Sequence, residues 1–292
     1  MAVVGAAALA LPAALAACAV AASAPVPGVT GPRRIPYGGH PSQFGELTLP
    51  AGTPRGVAVI VHGGFWRQRY GLELGRPLAA DLANDGLAAW NVEYRRVATG
   101  SAGGPRTDSD DGGWTATFDD VAAALDLLAG PVQLEAGGRL PLDRVVAIGH
   151  SAGGHLVGWL AARPGLPEGA PGAAPAVRLK GAVAQAGVMD LVDASEQGVG
   201  AGAVDDLLGG SPAQVPDRYA LASPIARIPI GVPVTCVHGT EDANVPIRQS
   251  QRFTAASDDQ LITIPGADHF VLIDPTTDAW RACRSAADRI LG

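Results

Sequence analysis

The sequence predicts an α/β protein built on a mostly parallel sheet with helices on both faces. Three observations support this fold class. Apolar, β-branched runs alternate with segments of helical periodicity through most of the chain. Several of these runs are apolar throughout, as in strands covered on both sides. A hydrophobic content of 47% with 17% charged residues is typical of a globular protein, and 292 residues can form one large domain.

The first half of the chain is predicted to supply a half-exposed strand, two further strands and the helix between those two. Residues 25–42 are rich in Pro and Gly and are predicted to be a linker or extended arm before the main domain, 43–292. FGELTLP (44–50) alternates apolar and polar residues, as in a half-exposed strand. The run GVAVIVHGG (56–64) ends in glycines, as a buried parallel strand does. A helix is predicted at 72–85 and a strand at 87–96.

The second half continues the alternation. Residues 115–130 have the pattern of an amphipathic helix, with Thr115 and Gly130 as candidate caps. Further strands are predicted at 143–150, 179–187, 231–239 and 259–267, and further helices at 151–162 and 277–291. This order predicts right-handed crossovers between parallel strands.

Two segments interrupt the alternation. Residues 97–114 form a Gly- and Asp-rich loop whose DSDD cluster lacks the ligand spacing of a calcium loop, so a solvated loop is predicted. Residues 188–224 form a long insertion with short helices, predicted to be a cap over the site. No metal-ligand spacing appears, and no cofactor is expected. Cys236 lies in an apolar run and is interpreted as a buried strand thiol.

Charge and the N-terminus bear on partners and location. A net charge of −7 argues against nucleic acid as the main partner. Residues 1–24 resemble a signal peptide or lipoprotein leader in which Cys18 of the LAAC box is lipidated, although no Lys or Arg precedes the apolar region. The expectation is an exported protein anchored to the membrane through Cys18; other exported forms, and a cytoplasmic enzyme with a misassigned start codon, are the alternatives. Oligomeric state is left open.

The stretch GHSAGGH contains a candidate nucleophile, Ser151, flanked by Gly149 and Gly153. With 39 glycines in the chain, the pattern G-x-S-x-G can arise by chance. Its predicted position, between a strand and a helix, is the context that the motif needs, because a sharp turn there projects the serine hydroxyl above the sheet edge. The alternative interpretation is a serine that only caps the helix.

A serine nucleophile needs a base and an orienting carboxylate. Of the six histidines, His269 follows the last predicted strand, where this topology supplies a base. Asp242 follows the preceding strand and is the candidate acid, with stabilisation of its turn as the alternative role. Glu241 and Asp268 adjoin these residues, and Asp190 and Asp193, after an earlier strand, are less favoured candidates for the acid. The order Ser151, Asp242, His269 matches one of the common serine triads.

The loop HGGFW (62–66) ends an early strand and is a candidate oxyanion hole. Its glycines expose backbone N–H groups, so the predicted donors are Gly63, Gly64 and Phe65, together with the N–H of Ala152. A simple glycine-rich turn is the alternative. Trp66 is predicted to shape an acyl pocket or to belong to the core.

These motifs resemble those of the α/β-hydrolase superfamily from about residue 43 to the end. HGGFW with GHSAGG is similar to the esterase branch near kynurenine formamidases, carboxylesterases and prolyl-oligopeptidase-like hydrolases. The resemblance implies Ser151 as nucleophile, Asp242 as acid and His269 as base. One departure is Phe65, which stands where the hormone-sensitive-lipase pattern has a third glycine.

The sequence therefore predicts acyl transfer to water through an acyl-enzyme, on a small-molecule substrate. A short-chain carboxylesterase is the leading hypothesis. An arylformamidase is the second, favoured by HGGxW, and a peptidase is the third. The rival class is a non-catalytic binding protein on a hydrolase scaffold, because fold alone does not establish function.

Overall fold

The computed structural model describes residues 27–98 and 112–292. The predicted leader with Cys18, and most of the loop 97–114, lie outside the described residues. The described strands are β1 (Arg33–Pro36), β2 (Phe44–Thr48), β3 (Val57–Val61), β4 (Ala88–Val92), β5 (Val145–His150), β6 (Gly181–Gln185), β7 (Val234–Gly239) and β8 (Leu261–Ile264).

These strands form one sheet in the order β1-β2-β4-β3-β5-β6-β7-β8. The pairs β1/β2 and β2/β4 are antiparallel, and β3 to β8 pair in parallel. Strand order reverses around β3, where β4 lies on one side and β5 on the other. The carboxyl ends of the parallel strands therefore meet at one edge, where α/β sheets bind their ligands.

The described helices alternate with these strands and cover both faces of the sheet. They are α1 (Arg76–Asn84), α2 (Ala116–Asp126), α3 (Pro131–Glu135), α4 (Ala152–Ala162), α5 (Leu191–Glu196), α6 (Ala203–Leu208), α7 (Pro216–Ala222), α8 (Arg248–Ser257) and α9 (Asp278–Leu291). Helices α1 and α9 share one apolar core, and α2, α4 and α8 share the other. Alternate residues of β3 supply the two cores, Val59 to one and Ile60 to the other. The predicted fold class is confirmed.

The structure differs from the sequence-based expectation in the arm and at three helices. The predicted arm 25–42 contains β1, because Arg33 to Pro36 find backbone partners in β2. Helix α2 begins after Thr115, but the Thr115 hydroxyl donates to Asp119 and makes no cap to the backbone. Helices α3 and α8 were not predicted; α8 has a mostly polar surface that weakens its apolar periodicity.

Glycines let the backbone of α4 pack directly against the backbone of the sheet. All eleven residues of α4 are buried. A Cβ atom added at Gly153 would overlap the carbonyl oxygen of Val61, and one added at Gly149 would overlap the carbonyl oxygen of Gly153. The two glycines of GHSAGG are therefore required by packing of the strand, the turn and the helix.

Three further properties follow from the described part of the chain. No helix there is both long and apolar enough to cross a bilayer. No group of His, Cys, Asp and Glu side chains in residues 27–98 and 112–292 is arranged to hold a metal ion. Cys236 and Cys283 are free thiols buried in the core, as predicted for Cys236. Burial raises the pKa of each thiol to about 12.

Candidate active site

Ser151 lies at the sharp turn between β5 and α4. Its backbone has φ 57° and ψ −118°, a combination that side-chain-bearing residues rarely adopt. The turn is held by a hydrogen bond from the Ser151 N–H to the carbonyl oxygen of Gln185, at 2.8 Å. Strained residues of this kind concentrate at functional sites because the surrounding structure must impose them. The strain argues for a nucleophile turn over an ordinary helix cap, and the Ser151 hydroxyl accepts no capping hydrogen bond from a backbone N–H of α4.

Asp242 and His269 are brought into contact by the loops after β7 and β8. The His269 Nδ1–H donates to Oδ2 of Asp242 at 2.6 Å. The other carboxylate oxygen, Oδ1, accepts from the backbone N–H groups of Asn244 and Val245, each at 2.8 Å. Both side chains are almost fully buried. The carboxylate therefore has a fixed orientation and holds the imidazole with Nδ1 protonated, which leaves Nε2 as a proton acceptor.

The environment of Asp242 favours its ionised form. Burial alone would raise the pKa of this carboxyl, but hydrogen bonds from His238 and His269 and from the Val245 N–H outweigh burial. The pKa of Asp242 is therefore held well below its usual range. His238, at the end of β7, has its Nε2 3.3 Å from Oδ2 of Asp242 and its Nδ1 2.8 Å from the Ser250 hydroxyl. Nothing in the local sequence pattern indicates this supporting role of His238.

His150 joins the nucleophile turn to the histidine loop. The His150 Nε2–H donates to the carbonyl oxygen of His269 at 2.8 Å, and the two rings are 4.4 Å apart. Burial, with a smaller contribution from His269, lowers the pKa of His150 to about 3, so its ring is neutral at ordinary pH. Because Ser151 is the next residue, this bond places Ser151 and His269 at one edge of the sheet.

The loop HGGFW lies directly against the nucleophile turn. A Cβ atom added at Gly63 would lie 3.0 Å from Cβ of Ser151 and 2.8 Å from the carbonyl oxygen of His150. Gly64, Phe65 and Trp66 all have positive φ, at 118°, 53° and 54°. Phe65 and Trp66 form a tight turn that is closed by a hydrogen bond from the Arg67 N–H to the carbonyl oxygen of Gly64, at 3.0 Å.

The amides of this loop and of the helix start are available as donors. Within the described chain, the N–H groups of Gly64 and Phe65 make no hydrogen bond to protein atoms. Ala152 is the first residue of α4, where backbone N–H groups lack partners in the helix. The partial positive charge of the helix end adds to the effect. The arrangement is suited to stabilising negative charge on an atom bonded to Ser151.

A buried network supports the oxyanion loop from behind. The Tyr94 hydroxyl donates to the carbonyl oxygen of His62 at 2.9 Å, and the two rings stack 4.4 Å apart. The His62 Nδ1–H donates to the carbonyl oxygen of Gly63 at 2.7 Å. Glu93 is buried beside His62 and forms an ion pair with Arg96. These contacts fix the loop, and nothing in the local sequence pattern indicates the supporting roles of Tyr94, Glu93 and Arg96.

Trp66 is a core residue in this structure. Its side chain is 1% exposed and packs edge to face on His155, which lies one turn into α4, with ring centroids 5.2 Å apart. The prediction that Trp66 shapes an acyl pocket is not supported by this position; the alternative, an aromatic core residue, fits it. The reason is that the left-handed backbone at Phe65 and Trp66 turns the indole inward, while Phe65 stays partly exposed.

The insertion 188–224 packs over the oxyanion loop. Arg67 donates to the carbonyl oxygen of Ala201 at 3.0 Å and forms an ion pair with Asp206 at 3.2 Å. A Cβ atom added at Gly200 would overlap the ring of Phe65. The insertion contains the short helices α5, α6 and α7, and its role as a cap over the site stays a prediction.

The remaining acidic candidates have structural partners. Asp190 caps α5 and pairs with Arg252 at 2.7 Å. Asp193 pairs with Arg248 and accepts from Gln249 at 2.7 Å. Asp268 accepts from the N–H groups of the next turn, including that of Phe270 at 2.9 Å. The structure therefore brings Asp242, and none of these three, against His269.

Comparison with known proteins identifies the family of this chain and structures with the same fold. A family model described as BD-FAE matches residues 47–256, a span that includes Ser151 and Asp242 and ends before His269. No curated protein matches the chain. Similar solved structures include a truncated carbohydrate esterase from gut microbiota, with 19% identity and a TM-score of 0.70 over 90% of this chain and 97% of that one.

Two further similar structures are esterases. The thermophilic esterase Est2 from the planctomycete Thermogutta terrifontis is 22% identical, with a TM-score of 0.66 over 91% of this chain and 92% of its own. Esterase B from Lactobacillus rhamnosis, inhibited by a tributyrin phosphonate, is 19% identical, with a TM-score of 0.70 over 91% of this chain and 87% of its own. At these identities the likeness establishes the fold.

Proposed function

Because the chain belongs to the BD-FAE family, an α/β-hydrolase esterase family, we propose that it hydrolyses carboxylic esters with a Ser151–His269–Asp242 triad. The observation that carries the proposal is the buried 2.6 Å hydrogen bond between His269 and Asp242, placed beside the strained turn of Ser151. The family match supports ester hydrolysis in general, and the side-chain arrangement supports the serine mechanism.

In the first half of the reaction, Ser151 forms the acyl-enzyme. The Ser151 hydroxyl attacks the ester carbonyl carbon as Nε2 of His269 takes its proton. The tetrahedral oxyanion accepts hydrogen bonds from Ala152 and from the loop residues Gly64 and Phe65. The C–O bond to the alcohol then breaks, and the proton on Nε2 passes to the departing oxygen.

In the second half, water repeats the sequence on the acyl-enzyme. His269 takes a proton from water, the resulting hydroxide attacks the acyl carbon, and the Ser151 oxygen leaves with the proton. Asp242 stays ionised throughout, because its pKa is held well below its usual range. Its role is to fix the imidazole tautomer and to stabilise the imidazolium.

The oxyanion donors are expected to supply much of the rate. Removal of one donor of this kind typically costs a factor of about 10² to 10³ in turnover. Phe65 in place of a third glycine retains the donor, because its backbone adopts a left-handed conformation that usually favours glycine. Contact with Gly200 of the cap holds the Phe65 ring, which offsets the local strain.

The test is hydrolysis of p-nitrophenyl acetate, butyrate and octanoate by the wild type, Ser151→Ala and Ser285→Ala. Ser285 is exposed on α9 and serves as the matched serine control. We expect activity in the wild type and in Ser285→Ala, and a loss on the order of a millionfold in turnover in Ser151→Ala. Equal activity in Ser151→Ala and wild type would exclude the proposed nucleophile.

N-formyl-kynurenine and an acetylated methyl glycoside extend the same assay to the substrate class. The formamide tests the arylformamidase hypothesis, which rests on the HGGxW pattern. The sugar ester is included because one similar structure is named a carbohydrate esterase. A preference for the formamide over every ester would replace the esterase proposal with the amide-hydrolase alternative.

A further inference from the structure

The residue after His269 is an aromatic side chain left half in solvent. Phe270 is 52% exposed, whereas His269 is 3% exposed. Its ring meets the His269 ring edge to face, with centroids 5.3 Å apart and an interplanar angle of 84°. The ring centroid of His150 is 6.2 Å from that of Phe270. Phe270 therefore lies at the outer side of the histidine, close to the nucleophile turn.

We propose that Phe270 is the surface against which the alcohol portion of the substrate packs, and that it favours esters whose alcohol carries a flat ring. The inference rests on the proposed function. Nε2 of His269 must deliver its proton to the departing alcohol oxygen, so that oxygen lies within hydrogen-bond reach of the imidazole. A ring attached to the oxygen through one or two bonds then reaches the exposed face of Phe270.

The loop that carries His269 does not depend on the Phe270 ring. Oδ1 of Asp268 accepts from the N–H of Phe270 at 2.9 Å and from that of Val271 at 3.1 Å. Leu272 is fully buried, and its carbonyl oxygen accepts from Gln185 at 2.6 Å. These contacts involve backbone atoms and neighbouring side chains, so the half-exposed ring is left for contact with a ligand.

Phe270 is also isolated from other exposed apolar side chains. The other large hydrophobic residues exposed among the described residues are Leu134, in α3, and Val192, in α5. A docking surface for another protein needs a contiguous apolar patch of several hundred Å². One aromatic ring beside a catalytic histidine is instead the size of a contact with a small molecule.

The test compares benzyl butyrate with methyl butyrate, which share one acyl group and differ by a ring on the alcohol. The full chain is used as wild type, Phe270→Ala, Phe270→Tyr and, as control, Leu134→Ala, which removes an exposed apolar side chain from α3. The measured quantity is the ratio of kcat/KM for benzyl butyrate to that for methyl butyrate. This ratio reports formation of the acyl-enzyme, the step in which the alcohol is still present, and the butyryl-enzyme that follows is common to both esters.

We expect Phe270→Ala to lower this ratio by about 3- to 10-fold, the range for loss of one stacked aromatic pair. Phe270→Tyr keeps the ring and should restore the ratio, and Leu134→Ala should match the wild type. An equal loss of kcat/KM on both esters in Phe270→Ala would mean that Phe270 only packs on His269. An unchanged ratio with unchanged kcat/KM values would mean that the alcohol lies elsewhere. Either result overturns the inference. Failure of the wild type to hydrolyse either ester would instead contradict the proposed function.

Discussion

Replacing Asp242 with Asn is the substitution whose effect the structure defines most closely. In the folded protein, Oδ1 of Asp242 accepts from the N–H groups of Asn244 and Val245, each at 2.8 Å. An Asn side chain at this position must keep its oxygen on these two donors. Its NH₂ group then faces Nδ1 of His269, which must become an acceptor, so the proton moves to Nε2. A histidine protonated at Nε2 cannot take the proton of Ser151.

The magnitude follows from this reversal of the tautomer. The wrong tautomer in a serine triad costs about 10⁴-fold in kcat, which corresponds to about 5.4 kcal/mol of transition-state stabilisation at 1.36 kcal/mol per tenfold. Binding of substrate does not involve the carboxylate, so KM should change much less than kcat. The assay is the initial rate on p-nitrophenyl butyrate over a range of substrate concentrations, with thermal unfolding recorded in parallel.

Asp268→Asn is the matched control. Asp268 adjoins His269 in the chain and accepts from turn N–H groups, but it makes no contact with the imidazole nitrogens in the described structure. An Asn oxygen can accept the same turn bonds, so kcat should stay within about threefold, well below the cost of removing one catalytic donor. A folded Asp242→Asn variant that retains kcat within tenfold of the wild type, or an equal loss of activity in the two variants, would contradict the role of Asp242 in setting the tautomer of His269.

Three further predictions concern packing, pH and thiol chemistry. Gly63→Ala places a methyl group against the nucleophile turn and should lower kcat by a factor of about 10² or more through displacement of the oxyanion loop. Gly39→Ala, with nothing within 4 Å of the new Cβ, should leave kcat unchanged. Equal kcat values in the two variants would show that the loop is not part of the site. Folding depresses the pKa of Asp242, so its charge stabilises the protein above the unfolded pKa of about 3.9, and this stability is lost as pH falls through the lower folded pKa. In urea titrations, the excess free energy of unfolding of the wild type over Asp242→Asn should be constant above about pH 5 and should shrink in acid. An excess that grows in acid would contradict the depressed pKa. Cys236 and Cys283 are buried, and their thiols have pKa values of about 12. Both thiols should therefore resist iodoacetamide in the folded protein and react with it in guanidinium, as measured by peptide mass. Labelling at the same rate in both states would contradict their burial.

The sequence predicts the parallel part of the sheet because apolar runs such as those of β3 and β5 are buried on both faces and leave a pattern visible without the fold. The same pattern places Ser151, Asp242 and His269 after three separate strands. Contact between Asp242 and His269 then follows from the topology, since the carboxyl ends of parallel strands share one edge. The catalytic roles of the three residues stay predictions until the variants are assayed.

Other features depend on tertiary contacts that local pattern does not encode. Strand β1 is short and exposed, so only pairing with β2 reveals it. Trp66 turns into the core because the backbone of the preceding Phe65 is left-handed. A phenylalanine at that position does not indicate such a conformation in advance. His150 acquires its supporting role from His269, more than a hundred positions away, and His238 acquires its role from Ser250 in α8. Long-range partners of this kind are set by packing, not by spacing in the sequence.

Covalent labelling shows whether Ser151 is an activated nucleophile. The wild type and His269→Ala are treated with a fluorophosphonate, digested, and analysed by mass spectrometry of the peptide that contains residues 145–163. We expect a phosphonyl adduct on Ser151 in the wild type, and a rate of labelling lowered by several orders of magnitude in His269→Ala, because a serine hydroxyl without its base is a poor nucleophile. An unmodified Ser151 in the wild type, or equal labelling in the two proteins, would contradict this expectation.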